Sequence, residues 1–256
     1  MIIDTHAHID DKAFESDRID IINKALESEI KLIINPASSF KSNERIIKLN
    51  KEYPFILPAF GVHPHEADTL TKNNLNKLRD FINYQRPIAI GETGLDFHYN
   101  FSPPDTQKEA FVKQIELSIE YDLPLIIHCR KAEETVFKTI SIYKNLKGVI
   151  HCFSGNSEYA KKFTSLGFFL GITGVVTFKK SEELKNIVRE TDLNFLLAET
   201  DSPYLSPVPF RGKRNEPSYV KFITEEIARI KEIDLKTAEN TLFNNAKTCF
   251  RGITLP

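Results

Sequence analysis

The sequence is poor in the features that mark disulfide-rich or membrane proteins. Its three cysteines, Cys129, Cys152 and Cys249, are odd in number and have no Cys-x-x-Cys spacing. This usage argues against a disulfide framework and suits a reducing compartment. The N-terminus has no basic segment followed by an apolar run, and a stretch of about 18 consecutive apolar residues occurs nowhere. We therefore expect a soluble, cytoplasmic protein without a membrane partner.

An excess of charge of either sign is also lacking. Lys plus Arg number 34 and Asp plus Glu number 35, which gives a formal net charge of −1. No global basic field attracts nucleic acid, so any phosphate site must be local. The chain has 256 residues, of which 41% are hydrophobic. This is enough for a large core, and we expect one domain over residues 1–256, with a monomer favoured.

What the sequence does contain is one supersecondary unit that recurs eight times. Apolar, β-rich runs are predicted as strands at 2–5, 31–35, 55–61, 87–92, 124–128, 148–153, 168–173 and 195–201. Amphipathic patterns predict helices between and after them at 14–29, 42–51, 75–84, 104–121, 132–144, 157–166, 181–190 and 218–231. This pattern predicts a (β/α)8 TIM barrel with parallel, buried strands. A further helix at 235–250 is expected to close the outer ring.

Barrel enzymes build their active sites at the carboxyl ends of the strands, and ionisable residues of this chain fall there. Six of its seven histidines fall at the ends of predicted strands, and the remaining one, His98, lies in the loop after the fourth strand. His6 and His8 are two residues apart, so in an extended strand their rings share one face. The candidate residues are His6 and His8 at the end of the first strand, Glu92 at the end of the fourth, His128 of the fifth, His151 of the sixth and Asp201 of the eighth.

Four imidazoles and two carboxylates can hold two divalent cations. Glu92 is predicted to bridge them, with His6, His8 and Asp201 on one cation and His128 and His151 on the other. The ligand types suit zinc, manganese, iron or magnesium without choosing among them. Structural alternatives remain for each residue: a hydrogen-bonded core histidine, an ion-paired Glu92, or Asp201 as an N-cap. Cys129 and Cys152 are expected to point to the opposite face as packing residues.

Residues around these candidates suggest substrate contacts. His63 and His65 flank Pro64 and are better suited to touch substrate than to ligate a metal. Arginine presents a planar fork of donors that suits phosphate oxygens. The candidate phosphate contacts are His63, Arg130, Arg211 and Arg214, with solvated loop charges as the alternative for the arginines. Candidates for stacking on bases are Tyr99, Phe101 and Tyr204, which could equally be partial core. Asp96 is a candidate acceptor for a ligand histidine, and Glu199 shares the face of Asp201.

A set of motifs spread over almost the whole chain resembles the TatD family of metal-dependent deoxyribonucleases, within the amidohydrolase superfamily. They are Asp4-Thr-His-Ala-His8, Gly61-Val-His-Pro-His65, Gly91-Glu-Thr-Gly-Leu-Asp96, Ile127-His-Cys-Arg130, His151-Cys-Phe-Ser-Gly155, Glu199-Thr-Asp-Ser-Pro-Tyr-Leu205 and Arg211-Gly-Lys-Arg-Asn-Glu-Pro217. The resemblance implies a TIM barrel with one to three divalent cations that hydrolyses DNA phosphodiesters, often as a 3′ to 5′ exonuclease. It also implies that Glu92, His128, His151 and Asp201 occupy ligand positions, completed by His6 and His8.

The expected activity is therefore phosphodiester hydrolysis of DNA with two, or at most three, divalent cations. A water shared by the cations would attack phosphorus, with Glu92 as bridging ligand and Asp201 as general base. Two other classes stay open. The same ligands could hydrolyse a small ester, lactone or amide, because a barrel leaves its substrate to the loops. Alternatively, the protein could be a metal-loaded scaffold that binds nucleic-acid ends without cutting them.

Overall fold

The computed structural model describes residues 1–253. Parallel strands follow one another around a single sheet in chain order. The strands are β1 (Ile2–Asp4), β2 (Ile30–Pro36), β3 (Ile56–Phe60), β4 (Ala89–Asp96), β5 (Leu125–Arg130), β6 (Gly148–His151), β7 (Phe169–Ile172) and β8 (Leu196–Ala198). Their near-continuous apolar composition fits burial on both faces, as parallel sheets require.

The sheet closes into a barrel just beyond the ends of β1 and β8. The Asp201 amide donates to the His6 carbonyl at 2.8 Å, and the His8 amide donates to the Ser202 carbonyl at 2.8 Å. Ala7 and Ser202 form a parallel bridge between these segments. The predicted (β/α)8 barrel is confirmed, and its closure lies among the candidate ligands.

Helices cover the outside of the barrel. They are α1 (Arg18–Glu27), α2 (Phe40–Glu52), α3 (Lys72–Gln85), α4 (Pro104–Tyr121), α5 (Glu133–Ser141), α6 (Ser157–Ser165), α7 (Glu182–Glu190), α8 (Val220–Lys231) and α9 (Leu235–Cys249). Short 3-10 turns lie at Lys12–Phe14, Pro64–Thr69, Gly174–Thr177, Leu193–Phe195 and Pro217–Tyr219. Several N-caps are those that the sequence favours: Asp234, for example, accepts a hydrogen bond from the Thr237 amide at the start of α9. The extra C-terminal helix is confirmed.

Two apolar clusters stabilise the barrel. The outer core lies between strands and helices and includes Phe60, Phe111 and Phe163. The inner core gathers inward-facing residues from all the strands and joins them to α9 and the residues after it. Phe243 and Phe250 belong to this inner core. α9 therefore does more than close the outer ring, because its apolar face also packs against the interior of the barrel.

Strand limits differ from the predicted ones where they matter for the site. β4 continues four residues beyond Glu92, to Asp96, so Glu92 lies within the strand and not at its end. A register irregularity between Ile90 and Thr93 accompanies this position. β8 stops at Ala198, so Asp201 lies in the following loop. Over residues 1–253, no helix combines the length and apolarity needed to cross a bilayer.

Candidate metal centre

Glu92 is the centre of a buried group of ionisable residues. Its Oε2 lies 3.3 Å from Nε2 of His6 and 3.6 Å from Nε2 of His8. Its Oε1 lies 2.9 Å from Nδ1 of His128 and 3.4 Å from Nε2 of His63. Histidines from different strands therefore face different oxygens of one carboxylate. This is the arrangement that a carboxylate needs in order to bridge two cations.

Asp201 lies against the same group from the loop after β8. Its Oδ1 is 3.5 Å from Nε2 of His8 and 3.8 Å from Nε2 of His6. His151 stands between the two carboxylates, with Nε2 at 3.6 Å from Asp201 and 4.0 Å from Glu92. All six predicted ligands thus meet at one place, and we call them the Glu92 cluster: His6, His8, Glu92, His128, His151 and Asp201.

Hydrogen bonds outside the cluster orient two of its imidazoles. Nδ1 of His8 lies 3.2 Å from the Pro36 carbonyl, which can only accept, so the proton of the neutral ring is on Nδ1 and the Nε2 lone pair faces the cluster. Nε2 of His128 lies 3.1 Å from the Asp96 carboxylate, which leaves Nδ1 of that ring towards Glu92. Both rings are therefore arranged as ligands.

The charges of the cluster are strongly coupled. Burial opposes ionisation of Glu92, but the surrounding imidazoles, His63 and His6 first, outweigh it and hold the pKa of this carboxyl well below its usual range. Burial likewise opposes a charged His151, but Glu199 and Asp201 raise the pKa of this imidazole to about 10. For His8, the hydrogen bond to Asp201 and the charge of Glu92 outweigh burial and raise its pKa to about 9. Protons are thus favoured on His8 and His151, whereas burial and the charge of His151 lower the pKa of His6.

Divalent cations fit this donor set. Nε2 of His6 and Nε2 of His8 are only 3.2 Å apart, a separation that a shared proton or a shared cation stabilises. Groups of His6, His8 and Glu92, and of His151, Cys152 and Asp201, each place their ligand atoms within 4.8 Å of one another. Because mixed imidazole and carboxylate ligands are those of zinc and its neighbours, cations can replace the protons that otherwise neutralise the cluster.

His63 differs from the cluster histidines in the direction of its proton. The His65 amide donates to Nδ1 of His63 at 3.1 Å, which places the proton of the neutral ring on Nε2, towards Glu92. Burial lowers the pKa of His63 to about 4, so the ring is neutral near pH 7. His63 is therefore a hydrogen-bond donor that faces the cluster. His65 instead contacts the Asp96 carboxylate, with 2.9 Å between Nε2 and Oδ2.

A pair of exposed aromatic rings adjoins the cluster on the β4 side. Tyr99 and Phe101 stack with ring centroids 5.5 Å apart and planes inclined by 10°. Phe101 is 69% exposed, and its ring centroid lies 4.8 Å from that of His65. The Arg130 guanidinium lies 4.6 Å from the Tyr99 ring centroid. We call Tyr99, Phe101 and Arg130 the aromatic stack.

The other candidate substrate residues have local partners. Arg214 pairs with Asp17 through two guanidinium nitrogens and lies over the Phe14 ring. The Arg211 guanidinium lies 4.5 Å from the ring centroid of Phe178. The structure thus seats both arginines against the body of the protein.

Tyr204 lies in the loop after β8, whereas the two rings of the aromatic stack lie in the loop after β4. Its ring lies 6.4 Å from that of His8, and its hydroxyl donates to Asp11 at 3.3 Å. The side chain is 55% exposed. A flat group bound at the cluster can therefore reach an aromatic ring on this side too.

Sequence reasoning was wrong about Cys152 and gave Glu199 too little weight. Cys152 has a φ of 46°, so the alternation of the strand ends at His151 and the thiol approaches His151 and Asp201. Glu199 is fully buried, with Oε1 at 2.8 Å from Nδ1 of His151. Asp4, also buried, accepts from the Thr200 amide at 2.9 Å. A carboxylate inside an apolar strand was the available signal for both acids.

Comparisons with known proteins agree with this geometry. Residues 3–251 match the family described as TatD related DNase. The chain is 39% identical to the uncharacterized metal-dependent hydrolase YabD of Bacillus subtilis, over 98% of this chain and 99% of that protein. It is 31% identical to the 3′-5′ ssDNA/RNA exonuclease TatD of Escherichia fergusonii, over 97% and 98% of the two chains.

A solved structure shows the same architecture. The crystal structure of YjjV, a TatD homologue from Escherichia coli K12, superposes with a TM-score of 0.93 at 26% identity and covers 98% of each chain. The family match covers residues 3–251, a range that contains all six residues of the Glu92 cluster. The chain therefore belongs to the TatD family and is a metal-dependent hydrolase.

Proposed function

We propose that the protein is an exonuclease that removes nucleotides from the 3′ end of single-stranded DNA. Two, or at most three, divalent cations support the reaction. The proposed ligands are His6, His8, Glu92, His128, His151 and Asp201. The proposed substrate contacts are His63 and Arg130 together with the two rings of the aromatic stack, while Arg211 and Arg214 shape the loop after β8.

The observation that carries the choice of substrate is the aromatic stack beside the Glu92 cluster. Every nucleobase has a flat face, and stacking on an exposed aromatic ring is a common way to hold single strands irrespective of sequence. Phe101 presents such a face, because its other side is covered by Tyr99. A duplex keeps its bases inside the helix, so this surface favours an unpaired end. A small lactone or ester has no base that could stack on this surface.

The residues of the cluster supply the groups that hydrolysis needs. Bound divalent cations supply positive charge that lowers the pKa of a water and offsets the charge that develops at phosphorus. Asp201 accepts the proton that the attacking water loses. Its carboxyl is ionised near neutral pH, because the charge of His151 and the hydrogen bond from His8 outweigh burial and lower its pKa. Glu92 fixes the spacing of the two halves of the site.

His63 and Arg130 are placed to hold the phosphate. The Nε2–H of the neutral His63 points towards Glu92 Oε1 at 3.4 Å, so a phosphate oxygen at the cluster can accept from it. Arg130 ends β5 and keeps an exposed side chain against Tyr99. Its guanidinium can therefore bind a backbone phosphate while the adjacent rings bind a base.

The relatives support the proposal at two levels. The family carries the description DNase, and one relative is named for 3′-5′ exonuclease activity on single-stranded DNA and RNA. Others bear only the name of metal-dependent hydrolase. The proposal that this hydrolase is a nuclease therefore depends on its own residues beside the Glu92 cluster, namely His63 and the aromatic stack.

An oligonucleotide panel tests the proposal. The purified protein is given single-stranded DNA labelled at the 5′ or the 3′ end, the matching duplex, an RNA of the same sequence, bis(p-nitrophenyl) phosphate and a lactone. Each is assayed with manganese and with excess chelator. We expect a ladder of shortened 5′-labelled single strands, much slower loss of duplex, and no turnover with chelator.

Other outcomes of the panel contradict the proposal in distinct ways. Turnover of the lactone with intact oligonucleotides would show a small-ester hydrolase on the same cluster. Retardation of DNA in a gel without cleavage would show the non-enzymatic scaffold. Shortening of 3′-labelled strands from the 5′ end would reverse the polarity but keep the nuclease.

A further inference from the structure

A buried carboxylate outside the Glu92 cluster, that of Glu199, lies against His151 of the cluster. It follows β8 directly, and its Oε1 accepts a hydrogen bond from the Cys152 amide at 2.6 Å. Gly171 of β7 makes room for it: a Cβ at this glycine would lie 2.4 Å from both carboxylate oxygens. Any residue other than glycine at position 171 would displace the carboxylate. The barrel is thus built to admit this acid.

Two ligand imidazoles lie over this carboxylate. The rings of His6 and His151 stack face to face, with centroids 3.4 Å apart and planes inclined by 18°. One ring nitrogen of each and one oxygen of Glu199 lie within 4.8 Å of one another. Nδ1 of His151 is 2.8 Å from Oε1. In both rings Nε2 faces the other side, towards Glu92 and Asp201.

Three buried polar atoms of complementary type belong to these three neighbouring residues. Within residues 1–253, Nδ1 of His6, Nδ1 of His151 and Oε2 of Glu199 form no hydrogen bond of acceptable geometry. The 2.8 Å contact of His151 shows proximity, although its N–H direction is poorly aligned with the oxygen. Buried groups of this kind are costly when unpaired. Two N–H donors and one carboxylate have the complementary chemistry to satisfy all three atoms.

We propose that Glu199 is a positioning residue that holds two cation ligands at once. One carboxylate oxygen accepts the Nδ1 proton of His151 and the other accepts the Nδ1 proton of His6. Both imidazoles are thereby fixed in the tautomer whose Nε2 lone pair faces the cation site. The inference rests on the proposed ligand roles of the two histidines, and it does not depend on the substrate.

A single carboxylate under two rings also explains why they can stack. Two imidazoles 3.4 Å apart repel each other when both carry charge, and His151 contributes to the lowered pKa of His6. A shared carboxylate on the Nδ1 side of both rings allows the Nε2 lone pair of each ring to bind a cation. The negative charge increases the basicity of each ring as a ligand.

The competing explanation is that Glu199 serves only to accept the Cys152 amide. Glu199→Gln separates the two roles. The glutamine retains an oxygen for the Cys152 amide and for Nδ1 of His151, which share Oε1, but in place of Oε2 it presents an NH2 donor to His6. The His6 ring must then turn an unprotonated Nδ1 towards this donor. The proton moves to Nε2, the atom needed as a ligand. Gly171→Ala is a second variant, because it displaces the carboxylate without changing it.

The matched control is Asp10→Asn. Asp10 is also a buried carboxylate near the carboxyl end of the barrel, but it pairs with Asn35, Ser42 and Arg45 and not with an imidazole. This variant loses a buried charge and a hydrogen-bond acceptor in the same way. Its folding is followed by circular dichroism alongside that of Glu199→Gln and Gly171→Ala.

The main measurement is zinc affinity, by competition with a chromophoric chelator in the absence of substrate. We expect Glu199→Gln to weaken binding by about 10- to 100-fold, Gly171→Ala to weaken it too, and Asp10→Asn to leave it near that of the wild type. Excess zinc should partly restore kcat in Glu199→Gln with little change in KM. Wild-type affinity in a folded Glu199→Gln protein would overturn the proposal.

A measurement on the unaltered protein does not depend on whether variants fold. In zinc-loaded protein with 15N-labelled histidine, NMR distinguishes a protonated Nδ1 from an unprotonated one. We expect His6 and His151 to carry protons on Nδ1, and an unprotonated Nδ1 in either ring would overturn the proposal. These outcomes are separate from nuclease activity: a protein without activity on DNA can still show the predicted tautomers, and an active nuclease can lack them.

Discussion

At its amino end the barrel is filled by apolar side chains, among them Phe243 and Phe250 of the α9 region, whereas its carboxyl end is filled by imidazoles and carboxylates. Both ends are largely buried, although His128 and Asp201 at the carboxyl end are partly exposed. Apolar burial stabilises the fold directly, but the buried charges at the other end stabilise it only as far as protons or cations balance them. The comparison teaches that one end carries stability while the other carries chemistry, and each can be altered separately.

The largest expected effect is the loss of activity in Glu92→Gln. An amide cannot balance the positive charge on both sides of the cluster, so kcat should fall by on the order of 10³-fold or more. The expected measurement is oligonucleotide hydrolysis with saturating manganese, with circular dichroism near that of the wild type. Turnover close to the wild-type rate would contradict a bridging role for Glu92.

The converse change is at the amino end. Phe250→Ala removes a fully buried ring from the inner core and should lower the free energy of unfolding by about 3–5 kcal/mol. Below its melting temperature, this variant should retain kcat and zinc affinity. Urea denaturation and the hydrolysis assay check the two statements. A loss of kcat in a folded protein would show that the two ends are not independent.

Cation binding should depend steeply on pH. His8 and His151, with pKa values raised to about 9 and about 10, hold protons near neutral pH that a cation must displace. Both raised values lie above pH 8, so affinity for manganese should increase as the pH rises from 6 to 8, by up to about tenfold per pH unit for each proton released. Competition titrations at three pH values measure this slope. A flat response would mean that the rings are already unprotonated.

A smaller effect is expected from a change in the aromatic stack. Phe101→Ala should raise KM for single-stranded oligonucleotides by about tenfold, because stacking on one base is worth about 1–3 kcal/mol. The rate on bis(p-nitrophenyl) phosphate, which lacks a base, should not change. Tyr84→Ala is a control, since this exposed aromatic residue lies in α3. An equal loss on both substrates would place Phe101 in the chemistry and not in binding.

The smallest effect is expected in the loop after β8. Arg214→Ala removes the pairing with Asp17 and the contact with Phe14, which together should stabilise the protein by about 1 kcal/mol or less. We expect a slight fall in the melting temperature and an unchanged KM. A marked rise in KM for DNA would restore Arg214 to the phosphate contacts that its position in the sequence suggested.

The sequence was sufficient to predict the barrel because each unit repeats the same apolar pattern, and the strand ends then locate the ionisable residues. Glu92 shows the limit of that logic. The predicted strand ended at Glu92, but β4 continues to Asp96. The end of β4 was missed because nothing in the local sequence pattern marks it. The six residues still meet, because the barrel places neighbouring strands side by side whatever their exact length.

Side-chain direction was harder to predict than position. Cys152 adopts a φ of 46°, and the alternation that would have turned its thiol away stops one residue earlier. The role of Glu199 depends on Gly171, a residue 28 positions away on another strand. Arg214 finds its partner Asp17 near the other terminus. Contacts of this range follow from the closed fold and have no signature in the sequence around either residue.

The closure between the segments after β1 and β8 has a consequence for how the protein is made. His6 and His8 leave the ribosome first, but Asp201 comes from the last quarter of the chain and its amide bonds directly to the His6 carbonyl. A nascent or truncated polypeptide that ends before this segment has unclosed ends and an incomplete set of ligands. If His6, His8 and Asp201 hold a cation as proposed, its binding requires both segments and stabilises the closed ring relative to the open one.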